Sequence, residues 1–509
     1  MRTTFAHPDH NADDVVEALA AWGFSVSPAR RSSRTAVDTF DGRLRAAGLQ
    51  LELHDGPTPE LVLWSADEAP PAHLPHGGTP TWPSEMPAGP LRSRLSAVTR
   101  ERALLPLLSV ESRSRSARRV DRRGKTTVVV DVHDELVIVG DEPALWPGTI
   151  AEVTSAAGHA DAAETATRRL RTLGLEAGPG SLIEAVAQAV GKPIAGHDSS
   201  PTVPLQASDD ALAAVRRVLA NLATTIDANL QGTIEDIDPE FLHELRVAVR
   251  RTRSVLTQAG KVLPPDVREH HRESFGRLGQ VTGPARDLDV YLLGWDDYVS
   301  PLGEVDRAHL DPVRTALETR RRAAHDTLAT ELGEPRVAEA LDAWRRWLAD
   351  PDVTSDAPRT LGPFVAKRIR KAQAKVLAAG AAITPQSPPE HLHELRKDTK
   401  RLRYLLECFG GLFPPKAHRR VVRRLKDLQD NLGEHQDAEI HLAELRVLAR
   451  DLRQQADVDT DVLLAMGRLS DHLERRRQQE RDDFADRFAA YDTTQTRAEL
   501  DDLLRSADA

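Results

Sequence analysis

The sequence predicts an α+β amino-terminal half built on an antiparallel sheet, followed by an all-α half made of two related helical bundles. Three observations carry this. Strand signals are dense up to about residue 190 and almost vanish after residue 208. A polar stretch bearing Pro, Ser and Gly, "GKPIAGHDSSPTVPLQAS", lies at the change. Beyond it Leu, Ala, Arg and Glu dominate and apolar residues return at steps of three and four, the period of a helix buried on one side. The boundaries that follow are a domain at 1–190, a linker at 191–207 and a helical domain at 208–500, with internal repeats at about 208–350 and 358–500.

In order, "VVEALAAWGF" reads as a helix, and "RTAVDTF", "LQLELHD" and "ELVLWS" read as strands. Seven prolines between residues 70 and 90 predict a loop, because proline removes a donor and fixes φ. "TTVVVDVHDELVIVG" reads as two strands around a short turn at His133–Asp134, and 161–190 is helix-rich. Ser208, with Asp209 and Asp210 behind it, starts the first helix of the second half.

The 509 residues are 40% hydrophobic and 29% charged, the balance of a globular protein with a charged surface. Cys408 is the only cysteine, which excludes an intramolecular disulfide and a cysteine-based zinc site. "MRTTFAHPDHN" does not read as a signal peptide, and no apolar run is long enough to span a membrane. The expectation is a cytoplasmic protein. The net charge of −10 argues against an anionic partner only if the cations are evenly spread.

They are not. Residues Pro239 to Pro265 align without a gap on Pro389 to Pro415, 150 positions on, with 13 of 27 identical. The shared residues include Leu242/Leu392, His243/His393, Glu244/Glu394, Leu245/Leu395, Arg246/Arg396, Arg251/Arg401 and Arg253/Arg403. The register continues through "LGQVTGPARDLDVYL" and "LQDNLGEHQDAEIHL", where Asp287 matches Asp437. A period this long is a duplicated bundle, not a solenoid repeat. It predicts two helical bundles related by a pseudo-two-fold axis.

At about 100° per residue, His243, Arg246, Arg250 and Arg253 share an arc of roughly 80°, beside a stripe of Leu242, Leu245, Val249 and Leu256. His393, Arg396, Lys400 and Arg403 repeat that arc. Cations stacked one turn apart repel each other. Arginines can also cover an apolar stripe with their methylene stems, but the pattern stands twice in register with no acid on the arc. It points to an anion site. Two further basic stretches add to it: Lys367 and Lys371 with Arg370, and the run Lys416, Arg419, Arg420, Arg423, Arg424 and Lys426.

Two rows of cations suit a long repeating anion, and arginine's planar fork suits phosphate oxygens. No glycine-rich phosphate loop is found. Single-strand nucleic-acid binders interleave aromatics with cations, whereas aromatics here are 4%. Polyphosphate, all charge and no bases, fits better than nucleic acid. Histidine pairs such as His391/His393 and His270/His271 have no spacing for shared ligation on a helix, so no metal is expected. Asp287 and Asp289 are expected to pair with arginines, and no nucleophile elbow is found.

The duplicated "LHELR" helices, "LGQVTGPARDLDVYL" and "LKDLQDNLGEHQDAEI" resemble the CHAD family, the conserved-histidine α-helical domain, over about 208–500. That resemblance implies two four-helix bundles that bind inorganic polyphosphate through basic surfaces. It carries the binding motif onto His243, Arg246, Arg250, Arg253, His393, Arg396, Lys400 and Arg403, and implies polyphosphate granules or polyphosphate-processing enzymes as associates. Lys400 keeps the charge of its counterpart Arg250 but loses the fork. The two histidines would gain protons beside a polyanion and tighten binding on acidification.

The first half resembles the CYTH, or triphosphate-tunnel, family through "RTAVDTFDGRLRAAGLQLELHD", "VESRSRSARRVDRRGKTTVVVDVHDE" and "LRTLGLEAGPGSLIEAVAQAVGKP". The metal-holding Glu-x-Glu-x-Lys strand of that family is missing: Glu17, in an apparent helix, is the one glutamate before Asp38. Where the family places Leu-Arg-x-Arg, this chain has Leu51, Glu52, Leu53 and His54. The expectation is a degenerate barrel without catalysis and a non-catalytic polyphosphate-binding protein that needs no cofactor. A metal-dependent triphosphatase and a nucleic-acid scaffold stand as alternatives.

Overall fold

Alternating apolar and polar residues build a single antiparallel sheet in the first part of the chain. In the computed structural model, residues 2–7, 9, 11–56, 58–65, 71–140, 143–178, 180–191, 194, 196–198, 202–355, 359–454 and 459–508 are described. The chain falls into two units, Met1–Asp198 and Ser199–Ala509. That division lies inside the predicted linker, of which residues 192, 193, 195 and 199–201 are outside the described residues.

The first unit holds strands β1 (Arg2–His7), β2 (Ser25–Val26), β3 (Arg30–Asp38), β4 (Leu49–Asp55), β5 (Glu60–Ser65), β6 (Ala72–Pro75), β7 (Leu105–Val120), β8 (Thr126–Val139), β9 (Ala144–Trp146), β10 (Thr149–Ser155) and β11 (Glu176–Ala177). Its helices are α1 (Ala12–Ala21), α2 (Arg43–Ala46), α3 (Pro90–Thr99), α4 (Ala160–Thr172) and α5 (Leu182–Ala189). The strand order is β11-β1-β10-β8-β7-β3-β4-β5-β6, with β2 beside β7 and β9 beside β8. Among the described residues the path does not close on itself, so the α+β unit is an open, degenerate barrel.

Two local expectations change. The prolines from 70 to 90 do not make one loop, since β6 lies within them as an edge strand, where an absent N–H leaves no ladder bond unmade. The turn expected at His133–Asp134 is instead a bulge inside one continuous β8. The register against β7 shifts between Glu111 and Arg113, and Glu135 takes a positive φ of 48°.

The sheet rolls around a charged interior. β1 and β4 have β10, β8, β7 and β3 between them, yet Arg2 on β1 reaches Glu52 on β4 at 2.7 Å. Arg2 also bonds Glu152 on β10, and Arg34 on β3 holds the other oxygen of Glu152 at 2.5 Å. His54 stands 2.8 Å from Glu52, and Glu152 further accepts from the Leu182 N–H at the start of α5 at 2.7 Å. The side chains of Arg2, Glu52 and Glu152 are 5%, 3% and 3% exposed, so their charges are compensated almost wholly by one another. Burial alone would raise the Glu52 carboxyl; Arg2, His54 and Arg34 bring it down to about 2. Glu152 is likewise lowered by Arg2 and Arg34 against its burial.

The second unit is helical: α6 (Ala211–Ile234), α7 (Pro239–Ala259), α8 (Pro265–Val281), α9 (Gly283–Leu293), α10 (Trp295–Val299), α11 (Glu304–His309), α12 (Asp311–Leu332) and α13 (Pro335–Ala349) in the first copy. The second copy has α14 (Leu361–Ala381), α15 (Pro389–Cys408), α16 (Pro415–Arg453), α17 (Thr460–Tyr491) and α18 (Thr494–Asp508). The starts of α6, α7 and α8 are matched 150 residues on by those of α14, α15 and α16. Each copy thus has four principal helices (α6, α7, α8–α9 and α12; α14, α15, α16 and α17) and a short closing helix, α13 or α18, the latter running past residue 500. Asp238 caps α7, accepting from the N–H groups of Glu240 and Phe241 at 2.9 and 3.2 Å, and Gly260 ends it with a φ of 58°. α16 runs unbroken where its counterpart is split into α8 and α9. Pro284 has no N–H and would clash with the carbonyl four residues back, whereas Gly433 and Glu434 continue the helix.

Both copies contribute to both of the unit's cores. One core joins Leu242, Leu245, Val249 and Leu256 to Leu392, Leu395, Leu402 and Leu406. The other joins Tyr291, Val313 and Leu317 to Leu445, Leu448 and Leu469. The first of these fixes α7 against α15 and thereby sets the orientation of their basic edges.

Candidate anion-binding site

The apolar stripe of each marked helix is buried, and the polar edge beside it is shared between the seam of α7 with α15 and the neighbouring helices α8, α9 and α16. There the two copies meet directly, for the Arg250 Nε–H donates to the Tyr404 hydroxyl oxygen at 3.1 Å. Arg246, one turn before Arg250, donates to Thr282 Oγ1 at 3.0 Å and to the Gly279 carbonyl at 3.3 Å. Arg253 lays its guanidinium over Gly279, 3.0 Å from where a β-carbon would stand. In the second copy Arg396 meets Asp437 at 3.2 Å, Arg403 meets Glu407 at 3.3 Å, and Lys400 is half-buried between those two arginines.

The electrostatics single out Arg246 and Lys400 among these cations. Burial, and then Arg250 beside it, pushes Arg246 down to about 10. Lys400 is pushed down to about 7 by burial, then by Arg396 and by Arg250 across the seam. Burial lowers Arg286 as well. The acids present are the repeat-related Asp287 and Asp437. Desolvation raises Asp287, Arg246 pulls it down, and Asp437 pushes it up again. Cations that hold their protons less tightly than usual are crowded together without enough negative charge, an arrangement that a bound anion relieves.

The two histidines sit at equivalent places but bond in opposite senses. Arg286 donates to Nδ1 of His243 at 2.9 Å, so that nitrogen is an acceptor. At the matching position Gln436 presents its side-chain oxygen to His393 Nδ1. His243 and His393 are therefore not interchangeable, although their repeat positions predict the same behaviour.

The remaining predicted cations are elsewhere. Lys367 and Lys371 stand exposed on α14 and Lys426 is exposed on α16. The basic run on α16 lacks acids in sequence but finds one in space: Arg420 and Arg424 share Glu499 on α18, at 3.6 and 3.1 Å, and Arg424 also donates to Thr496. Arg251, which points away from the basic arc, pairs with Glu407 at 2.8 Å and is raised by it against its burial. Glu407 thus ties a first-copy arginine to a second-copy one. Asp289 takes Arg321 at 2.8 Å, an arginine pairing of the kind expected for it.

Sequence reasoning missed Tyr404, Arg286, Gln436 and Glu407 as parts of the seam. Arg286 and Gln436 are adjacent to the matched Asp287 and Asp437, which is the one signal that could have found them.

No group of three or more His, Cys, Asp or Glu among the described residues is placed to hold a metal ion. His271 packs on Trp344 with ring centroids 4.6 Å apart, and burial pushes it to about 4. His441 stacks on Tyr291 at 4.1 Å, and burial likewise pushes it to about 4. Among the described residues, the sheet's interior carboxylates Glu52 and Glu152 both bond Arg2, and no acidic cluster is placed to hold the divalent metal that the first half's resemblance would bring. No helix among the described residues is long and apolar enough to cross a membrane.

The CHAD domain family model matches residues 217–446, and this stretch of the chain is a CHAD domain. It contains α7, α15 and the whole seam between them. An uncharacterized protein of Mycobacterium tuberculosis, found in strains CDC 1551 and H37Rv, is 27% identical over 219 residues. That match covers 41% of this chain and 41% of the length of the relative. Among solved structures, the CHAD domain from the plant Ricinus communis is 27% identical with a TM-score of 0.47, covering 59% of this chain and 95% of that one. The PH1819 protein from Pyrococcus horikoshii is 11% identical with a TM-score of 0.24, covering 38% of this chain and 98% of that one.

Proposed function

We propose that the protein is a non-catalytic binder of inorganic polyphosphate and that the α7–α15 seam is the binding site. The observation that carries this is the meeting of repeat-related cations across one seam: Arg246 and Arg250 on α7, Arg396, Lys400 and Arg403 on α15, joined by the Arg250–Tyr404 bond. The CHAD domain at residues 217–446 supports the same reading at the level of the family. The seam adds a reason of its own. Repeat-related rows of charge suit a ligand that reads the same in both directions, as a linear phosphate chain does and a single nucleic-acid strand, with its fixed polarity, does not.

Arginine forks would each take oxygens of successive phosphates, with the binding driven by release of the chain's counterions. With Arg246, Arg250, Arg396 and Arg403 engaged, the affinity is expected to fall roughly fiftyfold between 50 and 200 mM salt. Titration of long-chain polyphosphate at several salt concentrations, with single-stranded RNA or DNA as competitor at fixed salt, tests this. A flat salt response, or nucleic acid displacing polyphosphate at equal phosphate concentration, would count against it.

We read the amino-terminal unit as non-catalytic for a separate reason. Among the described residues, its interior carboxylates Glu52 and Glu152 are engaged by Arg2 and Arg34, so these two acids offer no open metal seat and these two arginines are not open to phosphate. Incubation of the full chain with tripolyphosphate and magnesium or manganese is expected to release no phosphate above the no-protein blank. Sustained turnover would restore the triphosphatase alternative.

A further inference from the structure

The duplication is not perfect at the seam: the position that holds Arg250 in the first copy holds Lys400 in the second. The side chain is enclosed from several directions. On its own helix it lies between Arg396 and Arg403; α7 contributes Arg250, and α16 contributes Asp437. From α14, Lys375 is turned to Asp398 at 2.8 Å, and Arg401 takes the same carboxylate at 2.7 Å. The acid facing Lys400, Asp437, is already engaged by Arg396 at 3.2 Å. The ammonium therefore stands in the field of three guanidinium groups and of one carboxylate that Arg396 already holds. The burial and charge that lower Lys400 to about 7 are the consequence of that packing. A guanidinium in the same place keeps its charge throughout the physiological range, so Arg250 shows what the site is without this feature.

We propose that the seam takes up a proton at Lys400 when a phosphate chain binds, so that the affinity for polyphosphate falls as the pH rises above neutrality. This rests on the polyphosphate reading of the seam and names its regulation. The sign follows from which state holds the proton. Below pH 7 Lys400 is charged before the ligand arrives, and binding costs nothing there. Above it the free protein carries a neutral amine, and the phosphates, by restoring the ammonium, must draw a proton from solvent. Between pH 6 and 8 the affinity is expected to drop about tenfold on account of this one group.

Calorimetric titration of the full chain with long-chain polyphosphate, at pH 6, 7 and 8 and in two buffers of different ionisation enthalpy, counts the protons directly. The wild type is expected to take up most of one proton per site at pH 8. K400R is expected to take up none and to bind with an affinity that hardly changes from pH 7 to 8. R250K, which adds a second such lysine across the seam, is expected to steepen the dependence. H243Q/H393Q is expected to keep the uptake at pH 8. If K400R binds polyphosphate but retains the wild-type proton uptake and slope, the inference fails while the binding reading stands. If no variant binds polyphosphate at pH 6 and low salt, both fail together.

Discussion

Reversing two charges at the seam, R250E/R396E, is expected to lower the affinity for long-chain polyphosphate by at least about a thousandfold at moderate salt. The pair is chosen so that one cation is lost from each copy. Arg250 is anchored on Tyr404 at 3.1 Å and Arg396 on Asp437 at 3.2 Å, so both are held in place before any ligand arrives. Each glutamate removes an attraction and adds a repulsion toward the same phosphates, and their effects compound because the chain must cross both. Helix content by circular dichroism monitors folding, since neither side chain belongs to the apolar stripe. A paired control, R420E/R424E, alters the α18-facing arginines that Glu499 already holds, and is expected to cost less than tenfold. If R420E/R424E loses affinity and R250E/R396E does not, the phosphate chain follows the α16 surface and not the seam.

The second large effect concerns stability of the amino-terminal unit. R2M leaves Glu52 and Glu152 buried with Arg34 as the remaining arginine of the network. Breaking a buried ion network by removing one partner costs about 3–5 kcal/mol, enough to unfold a marginal domain. Hydrogen exchange of the full chain, read in peptides over β4 and β10, is expected to lose its protection in R2M while peptides over α7 and α15 keep theirs. Acid should act on the same residues. Glu52 is held at about 2 in the folded state against an ordinary value of 4.5. Its contribution is therefore present above about pH 4.5 and is lost as the pH falls through 2. Protection in β4 and β10 is expected to decline over that window, and E52Q is expected to flatten the decline. Unchanged protection in R2M at neutral pH would show that the network contributes little.

Much of this architecture was legible in the amino acids. The 150-residue register located α7, α15 and the matched starts of their neighbours, because duplicated helices keep their apolar stripes and proline starts. The wheel placed His243, Arg246, Arg250 and Arg253 on one arc and His393, Arg396, Lys400 and Arg403 on its repeat; the structure joins the two helices through Arg250 and Tyr404, while Arg246 and Arg253 reach α8 and Arg396 reaches α16. What was not legible depends on partners distant in sequence. Glu499, far along the chain, neutralises part of a run that looked free of acids. Arg286 makes His243 an acceptor, and no property of His243 itself foretells it. The β8 bulge at Glu135 looked like a turn because a local His-Asp pair between apolar runs reads the same whether the chain reverses or merely kinks. The closing of Arg2 on Glu52 depends on how far a sheet rolls, and strand composition does not specify that.

One difference between the copies has a mechanical side. α16 is a single rod of 39 residues, about 58 Å from end to end. Its first half is packed in the core that holds the seam, and its second half in the core around Tyr291 and Leu469. The equivalent span of the first copy is jointed at Thr282 and Pro284, beside the hydroxyl that Arg246 grips. Asp437 therefore sits on one continuous helix that enters both cores, whereas Arg246 grips the joint between two separate helices.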